Sequence, residues 1–181
     1  ASSNPDEAYV LTNLDSDKSR IVLYDFKAKK IKKEIYANAQ FDASLLGISK
    51  NRNWEIDYLG YEGEKVVLEP VSNTFKKIYR NLEKSLPGYA YAIVGKTELE
   101  DQYLIYVTSD KLYGRYYHYE TATGKITLLY DLMPQLVEAD MAEMRPIQFT
   151  SRDGLTIHGY ITLPKAALAG QKVPLIVNPH G

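Results

Sequence analysis

The sequence contains no cysteine. Disulfides, thiolate nucleophiles and cysteine-built zinc or iron–sulfur sites are therefore excluded within it. Histidine is scarce, with three residues at positions 118, 158 and 180, and three separated histidines do not make a metal site. No apolar run approaches the length that spans a bilayer. The opening residues lack the basic and apolar regions of a signal peptide, so the compartment stays open between cytoplasm and bacterial periplasm. Neither sign of charge is in excess. Lys and Arg number 22 against 23 acids, a net charge of -1, which gives no reason to expect nucleic acid. No G-x-S-x-G occurs anywhere, so no nucleophile elbow is present.

What is present is β-prone. Sixteen tyrosines join frequent valine and isoleucine. Runs at 9–12, 20–26 and 31–36 are separated by polar turns and read as antiparallel strands. The stretch 102–131 has the same design. Subtracting 95 lays Asp110 on Asp15, Arg115 on Arg20, Tyr119 on Tyr24, Glu120 on Asp25, Lys125 on Lys30 and Ile126 on Ile31. Two copies two repeat lengths apart imply a unit of about 40–50 residues, the size of a four-stranded propeller blade. Between them, 44–49, 54–61 and 65–68 read as strands. Phe75, Ile78, Tyr79, Leu82 and Leu86 follow helical spacing, with Ser72 as N-cap and Pro87-Gly88 as the stop. Strands near 89–95, 102–108, 115–120 and 125–130 then form a complete blade.

After Tyr130 the pattern changes. Met133, Val137, Met141 and Met144 fall near one helical stripe between Pro134 and Pro146, which predicts a short connecting helix. A hairpin with an Asp153-Gly154 turn follows. Beyond a polar connection, Val173 to Val177 reads as a buried strand leading into Asn178-Pro179-His180-Gly181.

Several features have plain readings. The acidic cluster Asp15–Asp17 lacks the spaced ligands of a calcium loop and reads as a solvated turn. The lysines of 27–34 read as a solvated hairpin edge, where they discourage unwanted pairing. Tyr113, Tyr116, Tyr117 and Tyr119 read as packing between blades, with a peptide-facing channel as the alternative. His118 and His158 read as structural. The recurrence of Arg20 and Arg115 at equal repeat positions argues for a structural role.

The segments 114–130, 142–164 ("AEMRPIQFTSRDGLTIHGYITLP") and 173–181 ("VPLIVNPHG") resemble the prolyl oligopeptidase family of serine peptidases. The nearest branch is that of acylaminoacyl peptidases and bacterial dipeptidyl peptidases. The resemblance implies a mostly β fragment: propeller blades over 1–132, a connecting helix or linker over 133–145, and the truncated edge of an α/β-hydrolase domain over 146–181. It implies a parent enzyme acting on short peptides through an acyl-enzyme, without metal or organic cofactor. It also implies that His180 and Gly181 begin the Gly-rich loop whose backbone stabilises the oxyanion. In the family the donor belongs to the glycine that follows, and the serine, acid and base come later still. The 181 residues alone are therefore expected to be inactive. Two alternatives remain: a non-catalytic propeller-type binding module, and an esterase of the same hydrolase fold.

Overall fold

The computed structural model describes residues 2–179; His180 and Gly181, the expected oxyanion-loop pair, lie outside the described residues. The chain is mostly β and its sheets are antiparallel. The first holds β1 (Glu7–Thr12), β2 (Arg20–Asp25) and β3 (Lys30–Tyr36). The second holds β4 (Ala43–Ser49), β5 (Glu55–Glu62) and β6 (Val66–Pro70), and α1 (Asn73–Ser85) follows it. The third runs β7 (Ala90–Lys96), β8 (Gln102–Thr108), β9 (Arg115–Glu120) and β10 (Ile126–Asp131), each paired with the next. A two-stranded hairpin of β11 (Met144–Thr150) and β12 (Thr156–Thr162) comes after it.

The repeat read from the residues recurs in the backbone. Glu7 pairs across from Asp25, and 95 residues on Gln102 pairs across from Glu120. Phe26 N donates to Asp6 O at 2.9 Å, and Thr121 N donates to Asp101 O at the same distance. The turns after β2 and β9 both need a left-handed residue, Lys29 (φ 53°) in one and Gly124 (φ 70°) in the other. Three strands of the first sheet thus repeat three of the four strands of the third. The second sheet falls between them, with Ala43 and Ala90 opening equivalent strands. In that unit α1 stands in sequence where a fourth strand would come.

The helix forms as its spacing predicts. Ser72 caps it by accepting from Phe75 N at 3.0 Å, and Leu86 ends it ahead of Pro87. Its buried stripe, Phe75, Ile78 and Leu82, packs with Tyr91, Tyr103, Ile105, Val107 and Tyr119 in the main core. The alternation of β8 puts Tyr103, Ile105 and Val107 on that one face. A smaller core gathers Ile21, Ala43 and Leu59 between the first two sheets.

Two expected elements differ. The connecting helix is only a single 3₁₀ turn at Glu138–Asp140, and Met144 belongs to β11. The Asp131 carboxylate accepts from Met133 N and Arg115 takes Glu138, so the segment is held by side chains instead of a helical ladder. The run Val173–Val177 forms no strand and is not buried; Leu175, Ile176 and Val177 are 82, 89 and 76% exposed. No strand among the described residues lies alongside to pair with it. The polar connection before it contains the four-residue α2 (Lys165–Leu168). No α/β-hydrolase sheet is present among the described residues, whose structure beyond the third sheet is the 3₁₀ turn, the β11–β12 hairpin and the short helix α2.

Candidate functional site

A cavity of about 610 Å³ opens where the hairpin meets the ends of the second and third sheets. Five stretches build it. The approach to β4 supplies Phe41, the end of β5 supplies Tyr61, the turn into β6 and its start supply Glu64, Lys65, Val66 and Val67, and the entry to β7 supplies Gly88 and Ala90. The end of β8 gives Ser109 and Asp110, and the hairpin gives Met144, Pro146 and Tyr160. Phe41 stacks on Tyr61 with ring centroids 5.3 Å apart and planes 6° off parallel. Gly63 lies close under the pair: an added Cβ would come within 3.1 Å of the Phe41 ring, which would have to shift by a few tenths of an ångström.

Two contacts hold the hairpin against this wall. Met144 N donates to Asp110 Oδ2 at 2.8 Å, and the Tyr160 hydroxyl donates to Glu64 O at 3.0 Å. The volume lies in the range of ligand pockets. Its described lining mixes aromatic and aliphatic side chains with Glu64, Lys65, Ser109 and Asp110. Among the described residues no histidine lines it, and Ser109 Oγ already accepts from Lys111 N and Leu112 N. A nucleophile needs a base within hydrogen-bond reach, and among the described residues Ser109 Oγ is hydrogen-bonded only to backbone amides.

The other polar concentration joins the turn before β5 to the turn before β8. Arg52 reaches Glu55 at 2.7 Å, Glu100 at 3.0 Å, and also Asp57. Lys96 Nζ completes Glu100 at 2.7 Å, Ser49 Oγ donates to Glu100, and Ser72 Oγ donates to Asp57 at 2.6 Å. Asp57 and Glu100 are buried, at 2 and 8% exposure. Burial pushes the Glu100 carboxyl up, but hydrogen bonds from Lys96 and Ser49 and the charges of Lys96 and Arg52 outweigh it and hold the group below its ordinary value. The Tyr103 hydroxyl is buried nearby without a hydrogen-bond partner. Burial, then the charges of Asp57 and Glu100, raise it to about 12. Each carboxylate is matched by a cation or donor, so the cluster ties two sheets together.

The arginines that recur in the sequence each bridge an acid on the following strand, though the acids are not at equal repeat positions. Arg115 bridges Asp131 at 2.6 Å and Glu138 at 2.7 Å, and the hydrogen bond to Asp131 leads in raising its guanidinium. Arg20 bridges Glu34 at 2.7 Å. His118 bonds Gln102 and His158 bonds Gln148, so neither meets a serine. Tyr119 is core, Tyr116 packs on Tyr106, and Tyr113 is exposed away from the cavity. Asp17 lies beside Lys18 in the solvated turn. Lys32 on edge strand β3 pairs with Glu7.

The cavity had no signature in the sequence, because distant segments build it. The ionic cluster had one. Asp57 shares the inward parity of β5 with Leu59, and a carboxylate at a buried position signals a paired charge.

No family model matches the chain. Over 72 residues, 36% of the chain, it is 33% identical to dipeptidyl aminopeptidase BIII of Pseudoxanthomonas mexicana, of which the match covers 10%. Prolyl oligopeptidase B from Galerina marginata, bound to a 25mer macrocyclization substrate, superposes over 90% of the chain with a TM-score of 0.60 at 14% identity, using 23% of that structure. A prolyl endopeptidase structure from a study of inter-domain dynamics matches 90% of the chain with a TM-score of 0.54 at 20% identity, using 24% of it. The chain is thus related to a part of the prolyl oligopeptidase and dipeptidyl aminopeptidase group. It spans about a tenth of the curated relative and about a quarter of the solved structures.

Proposed function

We propose that these residues are part of a serine peptidase that hydrolyses short peptides from the N-terminus. In this reading 1–132 are propeller blades, 133–145 a linker, and 146–181 the entry into an α/β-hydrolase domain. A serine outside the described residues attacks the scissile carbonyl. The amine leaves, and water hydrolyses the resulting acyl-enzyme. The loop that begins at His180-Gly181 supplies backbone near the developing oxyanion.

One observation carries the reading. Antiparallel sheets of one repeat length lead into the β11–β12 hairpin, and prolyl oligopeptidase structures match that succession over 90% of the chain. The cavity supports it as well, because it lies where hairpin and sheets meet. In the proposed parent, that wall faces peptide between the two domains.

The test compares the 181-residue chain with the parent protein on dipeptidyl, acylaminoacyl and ester substrates. The parent is expected to release N-terminal dipeptides or acylamino acids, and the chain alone to release nothing. A parent that cleaves only esters, or none of these, would remove the peptidase assignment. In the second outcome the binding-module reading would replace it.

A further inference from the structure

The third sheet ends in an apolar strand with a group of cations beside it. Strand β10 pairs with β9 alone among the described residues, and its Leu128, Leu129 and Tyr130 are 49, 58 and 62% exposed. Glu120 N donates to Lys125 O at 3.0 Å. Bonded and non-bonded pairs alternate along an antiparallel ladder, so Ile126 and Leu128, opposite Tyr119 and Tyr117, turn their N–H and C=O to the open edge. The regular edge ends there, because Leu129 is an extra residue between Leu128 and Tyr130.

Helix α1 sets the charge next to that edge. Asn81 Nδ2 donates to the Tyr119 hydroxyl at 3.0 Å, and it lies against Gly124, where an added Cβ would fall 2.8 Å from it. Lys77 and Lys84 stand one helical turn to either side of Asn81 and so share its flank of the helix. Lys125 follows Gly124 on the facing turn. All three lysines are exposed, and none enters an ion pair among the described residues. Glu120, which bonds Lys125 through the backbone, has its carboxylate taken by the Thr123 hydroxyl at 2.6 Å.

We propose that this edge is a docking site for an extended acidic segment of a partner polypeptide, added as a strand along Ile126 to Leu128 with its carboxylates toward Lys77, Lys84 and Lys125. Lysine beside a sheet edge discourages pairing with ordinary strands. For an acidic strand the same charges attract, and the contrast gives specificity. Main-chain hydrogen bonds supply the affinity of strand addition. The open backbone groups favour a polypeptide over an anionic membrane, since lipid headgroups offer no strand to pair with them. The apolar stripe of α1, Phe75, Ile78 and Leu82, is also buried in the core and not free to enter a bilayer interface. Neither α1 nor β10 lines the cavity, and the inference stands whether or not the parent is a peptidase.

Fluorescence anisotropy on the parent protein tests it, with a labelled peptide of alternating glutamate and valine. The peptide should bind, and the Ile126 and Leu128 amides should then exchange more slowly. A peptide with lysine in place of glutamate should not bind. Nor should the acidic peptide N-methylated at alternate residues, which keeps its charge and cannot pair. Lys77→Glu, Lys84→Glu and Lys125→Glu together should weaken binding about tenfold or more. The three lie outside both cores, so Tm should be unchanged. Equal binding of the N-methylated peptide would overturn the inference, since charge alone would then act. So would binding to phosphatidylserine vesicles without binding to the peptide, or binding to neither. Slow exchange of Ile126 and Leu128 in the parent before any peptide is added would overturn it too, because the edge would already be covered.

Discussion

Arg52 Nη1 lies 3.0 Å from Glu100 Oε2, and the contact crosses from the turn before β5 to the turn before β8. One guanidinium thus compensates carboxylates of two sheets, Asp57 and Glu100, both buried. Removing one partner of a buried ion pair leaves an uncompensated charge and costs about 3–5 kcal/mol. Arg52→Met should destabilise the chain on that scale by urea denaturation. Glu100→Gln, which keeps the shape and removes a charge, should cost less.

Acid should loosen the same junction. Glu100 titrates below its ordinary value in the folded chain. Its contribution is therefore present above the unfolded value of about 4.5 and is lost as pH falls through the lower folded value. Denaturant unfolding followed from neutral pH into acid should show stability dropping in that window. The drop should be shallower in Glu100→Gln.

Tyr103 sets an alkaline limb. Its hydroxyl is raised to about 12, so the neutral form is favoured on folding. That contribution is complete below the unfolded value of about 10 and is lost as pH rises through the folded value. Tyr103→Phe should flatten this part of the stability profile. Because the hydroxyl is buried without a partner, the same change should be neutral or stabilising by about 1 kcal/mol at neutral pH.

Helix α1 is fastened by its buried stripe. Leu82 is fully buried in the main core, and Leu82→Ala should cost about 2–5 kcal/mol. Ser72 caps the helix and also donates to Asp57. Ser72→Ala should therefore reach the upper end of the usual cap penalty of about 0.5–2 kcal/mol. Thermal unfolding of the two variants beside exposed Lys76→Ala separates these effects from propensity.

Much of this architecture was legible in the residues because it is local. Composition and turn residues marked β1 to β10 within a few positions of each boundary, Asp153-Gly154 marked the β11–β12 hairpin by its turn alone, and Ser72 with Phe75, Ile78 and Leu82 marked α1. The 95-residue repeat marked the sheets, because strand register and turn chemistry both depend on nearby residues. Where side chains from separate segments decide the outcome, the pattern failed. Met133, Val137, Met141 and Met144 have helical spacing, yet Asp131 and Arg115 hold that stretch as turns. Val173–Val177 has strand composition, but a strand needs a neighbour to satisfy its backbone. The cavity was invisible for the same reason, since Phe41, Asp110 and Tyr160 meet only in the fold.

Covalent labelling with a fluorophosphonate, which reacts with activated serines, tests the proposed function most directly. The parent protein should be labelled at one serine outside these 181 residues, with short N-terminal peptides protecting it. The isolated chain should stay unlabelled, since no serine among its described residues is hydrogen-bonded to a histidine. Labelling of a serine between Ser2 and Ser151, or a parent with no reactive serine, would contradict the account.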